Sequence, residues 1–184
     1  MKVNILLCFS LFLLSCGESQ TTTPIAGAPD TSVAAPINMY GYTPNYSGSF
    51  EMGDPKNVET VLQLYKDWDN GTPNAHIEAF ADTVQMGTSD GTNVRAARDS
   101  SLASGVVYRA MFSTVTTTVH SVFPIKSTDQ NEQWVCIWAK EVHTDKASGK
   151  VDSVELQEAW RFDNNGKVNR LLQYDRPAAV VANK

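Results

Sequence analysis

Glu158 is the residue of this chain best placed for acid–base chemistry. If Val154–Phe162 is a strand, Val154, Leu156, Glu158, Trp160 and Phe162 share one side, and Glu158 is the only charge on it. A carboxyl among large apolar side chains resists ionisation, so its pKa climbs toward neutrality, where one group can both give and take a proton. Two readings stay open: an acid kept neutral in a pocket, or a rim residue ionised by a cation such as Arg109. Tyr65, Trp68, His120, Trp160 and Gln173 complete the pocket candidates. Tyr65 and Trp68 recur at helical spacing and are core residues first and pocket lining second. His120 shares its side with Thr116 and Thr118, opposite Val119, Phe123 and Ile125, which makes a surface position the simpler reading. The residues alone assign no catalytic group.

Other chemistries find no support in the sequence. His76, His120 and His143 stand at spacings that put no two on one face, so no metal site is expected. No Gly-rich phosphate loop, dinucleotide fingerprint or Ser-His-Asp order occurs, and no cofactor is expected. Cys136 sits in an apolar run without a base or helix N-terminus to activate it, which describes a small buried hydrophobe. The net charge is −5 and the cations are scattered singly, so no basic stripe exists to bind nucleic acid.

The elements that must position these residues follow from periodicity. Asp54-Pro55 is a cap and first-turn signal, Val58, Val61, Leu62, Tyr65 and Trp68 repeat at helical spacing, and Asn70-Gly71 ends the helix. A short second helix is expected over Ala75–Phe80, a strand over Asp82–Thr88, a turn at Ser89-Asp90-Gly91 and a third helix from Asp99 to about Phe112. Period 2 then takes over in four β-rich runs: Val115–Ser127, Trp134–Thr144, Val151–Phe162 and Val168–Tyr174. Their polar connections are short, which demands antiparallel neighbours. Helices followed by a meander make an α+β domain with the helices against one face of a sheet.

The first residues describe export. Lys2 precedes an apolar run, Val3–Leu14, too short to span a bilayer, and Ser15-Cys16 follows it. Leu13-Leu14-Ser15-Cys16 resembles the lipobox of bacterial lipoproteins, which implies cleavage before Cys16, its acylation, and a membrane-anchored lipoprotein of the bacterial cell envelope. Residues 1–15 are then the signal peptide and 16–50 a flexible tether rich in Thr, Pro, Ser, Ala and Gly. The tether's end carries Tyr40, Tyr42, Tyr46 and Phe50, readable as a strap on the domain or a flap over a ligand mouth. Residues 51–176 form the domain and 177–184 a disordered tail.

Two motifs carry a resemblance over roughly Asp54–Arg176. Trp160-Arg161-Phe162-Asp163-Asn164-Asn165-Gly166-Lys167-Val168 resembles the strand, turn and strand near the end of the nuclear transport factor 2-like superfamily, which includes SnoaL-like polyketide cyclases and ketosteroid isomerases. Leu64-Tyr65-Lys66-Asp67-Trp68-Asp69-Asn70-Gly71, with Phe80-Ala81-Asp82-Thr83-Val84 beyond it, resembles that family's opening helix and first strand. The resemblance implies a cone-shaped domain in which a curved antiparallel sheet wraps around the N-terminal helices and encloses a pocket. It also implies a homodimer through the sheet's outer face, consistent with Trp134, Cys136 and Trp138 on one side of a strand whose other side is Val135, Ile137 and Ala139.

The family's known mechanisms do not transfer. Where cyclases carry His-Trp-Asp this chain has Leu171, Leu172 and Gln173, and where ketosteroid isomerases carry their base and helix tyrosine it has Thr88 and Leu64. The expectation is therefore an exported, membrane-anchored lipoprotein whose domain binds a small apolar ligand or serves as an interaction module. The alternative is a SnoaL-like lyase, isomerase or hydrolase using a pocket carboxylate.

Overall fold

The computed structural model describes residues 37–178. The signal, the lipobox with Cys16 and most of the tether lie outside the described residues. Met1–Tyr40 and Gly41–Lys184 form separate units, and every element below belongs to the second. Among the described residues no helix is long and apolar enough to cross a membrane.

Helix α1 (Pro55–Asn70) begins where the Asp54 carboxylate accepts from the Lys56 amide at 2.9 Å, with Pro55 in the first turn, and ends at Gly71 with φ +75°. Its apolar face buries Val61, Leu64 and Tyr65. The expected second helix shrinks to a single 3-10 turn, Ile77–Ala79, because strand β2 (Phe80–Gly87) claims the next residue. A strand not expected from the sequence, β3 (Asn93–Ala97), folds back on β2 and leads into helix α2 (Arg98–Arg109). Strands β4 (Phe112–Ser127), β5 (Glu132–Asp145), β6 (Val151–Phe162) and β7 (Val168–Pro177) form the expected antiparallel meander. A short strand, β1 (Phe50–Met52), pairs with the end of β4. β7 continues to Pro177, opposite Val154, so the first residue assigned to a tail belongs to the sheet.

The sheet order is β1-β4-β5-β6-β7-β2-β3, a curved, unclosed sheet of seven strands. One pairing is parallel, β2 with β7. The core lies on the concave side, where Val135, Ile137 and Ala139 of β5 face Val61, Leu64 and Tyr65 of α1, joined by Phe80, Trp160 and Leu171. The two ends of the meander strands meet different requirements. A bulge in β4 between Val119 and Ser121 resets its alternation, so Thr117 pairs with Glu141 before it and Val122 with Ile137 after it.

The aromatic end of the tether is held on the outer face. Tyr46 meets the Trp134 ring edge-on with centroids 5.9 Å apart, Trp134 Nε1 donates to Tyr46 Oη at 2.7 Å, and Tyr46 Oη donates to Glu132. Ser47 and Ser127 hydroxyls both donate to Asp129, and the Gly48 amide donates to it at 3.2 Å. Those three donors pull the Asp129 carboxyl down to about 2, the Ser47 hydroxyl first among them. Gly53 then crosses so close to β4 that a Cβ there would sit 3.0 Å from the Ile125 backbone. Tyr46 therefore acts as a strap, while Tyr42 stays exposed.

Candidate functional site

β6 presents Glu158 in the middle of the concave face, opposite Ile137 on β5 and Gln173 on β7. α1 lays Tyr65 over it, and Trp160 is two residues further along the same strand. Tyr65 Oη donates to Glu158 Oε2 at 2.6 Å, and Trp160 Nε1 donates to the same oxygen at 2.9 Å. Oε1 has no hydrogen-bond partner among the described residues. The whole residue is 7% exposed.

This geometry sets the protonation. Burial raises the Glu158 pKa to about 7, and nearby Glu141 adds to the rise; the hydrogen bonds from Tyr65 and Trp160 work in the other direction and moderate it. Because both donors are aimed at Oε2, the proton of the neutral acid resides on Oε1. Tyr65 is pushed upward by its own burial first and by the Glu158 carboxylate second, so it stays a donor and cannot serve as a base near neutrality. Two aromatic walls complete the site: Tyr65 and Phe80 each tilt against the Trp160 ring, with centroids 6.2 and 6.3 Å away.

A second buried group lies further along the same concave face. Glu141, on β5 in phase with Ile137 and Ala139, accepts from Trp68 Nε1 at 2.7 Å and lies 3.0 Å from His143 Nδ1. Phe112 tilts against the His143 ring with centroids 4.3 Å apart, Tyr108 meets Phe112 edge-on, and Tyr108 stacks on Trp68. Sequence reasoning passed over Glu141 and weighed His143 only as a metal ligand, although Val135, Ile137, Ala139, Glu141 and His143 form one period-2 series that points to both.

Of the six pocket candidates, Glu158, Tyr65 and Trp160 meet at one carboxyl oxygen. Gln173 faces Glu158 across the β6–β7 pairing without a hydrogen bond to it. Trp68 instead serves Glu141. His120 stands at the bulge on the outer side, half exposed and 3.6 Å from Glu155, so it is no part of the concave site. The ion pair between Glu158 and Arg109 does not form. Arg109 is buried at the end of α2, where it donates to the carbonyls of Trp68, Asp69 and Phe112. Cys136 is half-buried on the outer face and its thiol is pushed up by burial, away from reactivity. Among the described residues no group of three or more His, Cys, Asp or Glu could hold a metal ion.

No family model matches the chain, and no curated protein matches it in sequence. Solved structures do match in shape. AusH from Aspergillus nidulans superimposes with TM-score 0.55 at 11% identity, over 70% of this chain and 89% of that one. An NTF2-like protein of unknown function from Exiguobacterium gives 0.52 at 12% identity, over 65% and 99%. An LEH-like epoxide hydrolase from M. tuberculosis gives 0.51 at 10% identity, over 66% and 83%. The domain has the cone fold of the nuclear transport factor 2-like, SnoaL-like proteins. At these identities the likeness describes the fold, and chemistry rests on the residues above.

Proposed function

We propose that this chain is an exported lipoprotein, anchored through Cys16, whose domain takes up a small, largely apolar molecule and holds one of its oxygen atoms at Glu158 Oε1. The supporting observation is the arrangement of donors at Glu158. With Tyr65 and Trp160 both committed to Oε2, Oε1 is left to donate to a carbonyl or hydroxyl when protonated and to accept from a hydroxyl when ionised. Aromatic rings around it suit an apolar body, and a few convergent polar atoms among apolar walls describe a small-molecule site.

A second reading is proton transfer. It is favoured by one observation, a Glu158 pKa raised to about 7, which allows both forms at neutral pH. Glu158 would then be the acid or base and Tyr65 the donor that stabilises its ionised form.

Native mass spectrometry of protein extracted from the membranes of its own cells tests the first reading. A small-molecule adduct should be retained by Glu158→Gln, whose amide presents an N–H in place of the Oε1 proton, and lost by Glu158→Leu. Equal adducts in both variants would remove Glu158 from the site. Loss of turnover in Glu158→Gln with the adduct retained would favour proton transfer. For the anchor, intact-mass analysis should find lipid on the parent and an uncleaved, unacylated precursor for Cys16→Ser.

A further inference from the structure

A cavity of about 330 Å³ opens where α1 and α2 both end, against roughly 30 Å³ for one water in the liquid. Asn70, Gly71, Arg109, Phe112, Ser113 and Lys146 contribute to its wall. It is separate from Glu158, Tyr65 and Trp160, none of which lines it. We propose that this cavity binds a small oxyanion, gripped between the Arg109 guanidinium and the Lys146 ammonium.

The charges of the wall carry the argument. Its two charged residues are both cations, and no Asp or Glu lines it. Among the described residues neither Arg109 nor Lys146 takes part in an ion pair. Arg109 is only 6% exposed, so its charge is held largely away from water. Three of its contacts go to neutral carbonyl oxygens, those of Trp68, Asp69 and Phe112, and a guanidinium has five N–H donors. Two N–H bonds therefore have no protein acceptor among the described residues.

The helix ends work against an anion and must be counted. Each contributes about half a unit of negative charge, so the ends of α1 and α2 together offset roughly one cation. The second cation remains, and a single negative charge neutralises the cavity. Asn70 adds a neutral donor that suits an oxyanion, whereas the Ser113 hydroxyl is already given to the Thr144 carbonyl. The guanidinium is also fixed in place. A Cβ on Gly71, whose φ is +75°, would lie 3.3 Å from Arg109 Nη2, so only glycine lets the α1 terminus lie flat against it.

Carboxylates and phosphate esters share this chemistry, and the test separates them. Thermal unfolding and amide shifts of the purified protein are followed in sodium acetate, sodium phosphate and sodium chloride at matched ionic strength. A saturable rise in the midpoint, with the Gly71 amide moving in parallel, is expected with at least one oxyanion and not with chloride. Acetate alone identifies a carboxylate site, phosphate alone a phosphate site, and both a general oxyanion site. Lys146→Glu, on an exposed residue, should keep the fold and weaken the apparent affinity by about tenfold or more. Chloride matching the oxyanions, or Lys146→Glu responding like the parent, overturns the proposal. Arg109→Lys serves as the second variant; it should lower the midpoint in chloride and abolish the oxyanion response, and an unchanged response would equally refute the site.

Discussion

Glu158 and Asp129 are both carboxyls that accept several hydrogen bonds, yet one is driven up to about 7 and the other down to about 2. The difference lies in which effect dominates. On the concave face burial outweighs the two donors, whereas on the outer face Asp129 is solvated and its donors act with little opposition. Donor count alone therefore does not set an acid's strength. The inner acid is kept poised and the outer one is permanently ionised, which suits a reactive or binding group in one case and a clasp in the other.

The largest expected effect tests the burial side of this contrast. The folded pKa of Glu158 lies above its unfolded value, so the folded chain binds the extra proton between about pH 4.5 and 7 and stability falls as pH rises through that window. The shift corresponds to roughly 3 kcal/mol. Glu158→Gln should flatten that decline, so that denaturant titrations of parent and variant diverge from pH 5 to 8, a range chosen to bracket the two pKa values. Parallel curves would mean that Glu158 is not desolvated.

Removing the strap tests the other side. A chain beginning at Phe50 loses Tyr46 from Trp134 and Ser47 from Asp129, and should lose about 1 to 3 kcal/mol by urea unfolding. Full stability of that chain would reduce the clasp to decoration. Next in size, Tyr65→Phe removes the shortest donor to Glu158 and should cost about 1 to 2 kcal/mol above pH 7, with less effect at pH 5, where the acid is neutral. An equal cost at both pH values would place the effect in packing instead. Finally, Trp138, 46% exposed beside Phe123 on the outer face, is the natural centre for the proposed homodimer. Trp138→Lys should leave folding stability nearly unchanged and turn a dimer into a monomer by sedimentation; a monomeric parent would refute the dimer.

The meander and α1 were legible because their signals are local: period 2 over long runs, and a cap, a proline and a glycine around a helical repeat. Glu158 was legible for the same reason, as a lone charge in an apolar series. What escaped was set by distant contacts. β3 reads Asn-Val-Arg-Ala-Ala and is mostly exposed at the sheet's edge, so it carries no hydrophobic alternation. Arg109 caps a helix that ends some forty positions earlier, and nothing in its neighbours names those carbonyls. His120, by contrast, was readable as a surface residue from the side it shares with Thr116 and Thr118, and it stands half exposed.

The parallel pairing of β2 with β7 also dictates an order of events. β2 is the first strand after α1, but its partner β7 is the last strand of the sheet to be made, while β4, β5 and β6 can zip together by short hairpins in between. Closing that long interval comes late, because non-local pairing must first overcome the entropy of the intervening loop. Until Val168–Pro177 emerges, β2 and β3 have no sheet to join, and α1 lacks part of the wall it packs against. A chain with this topology cannot complete its sheet until β7 has been made, so a chain cut before Val168 leaves the β2–β3 hairpin with no strand to join.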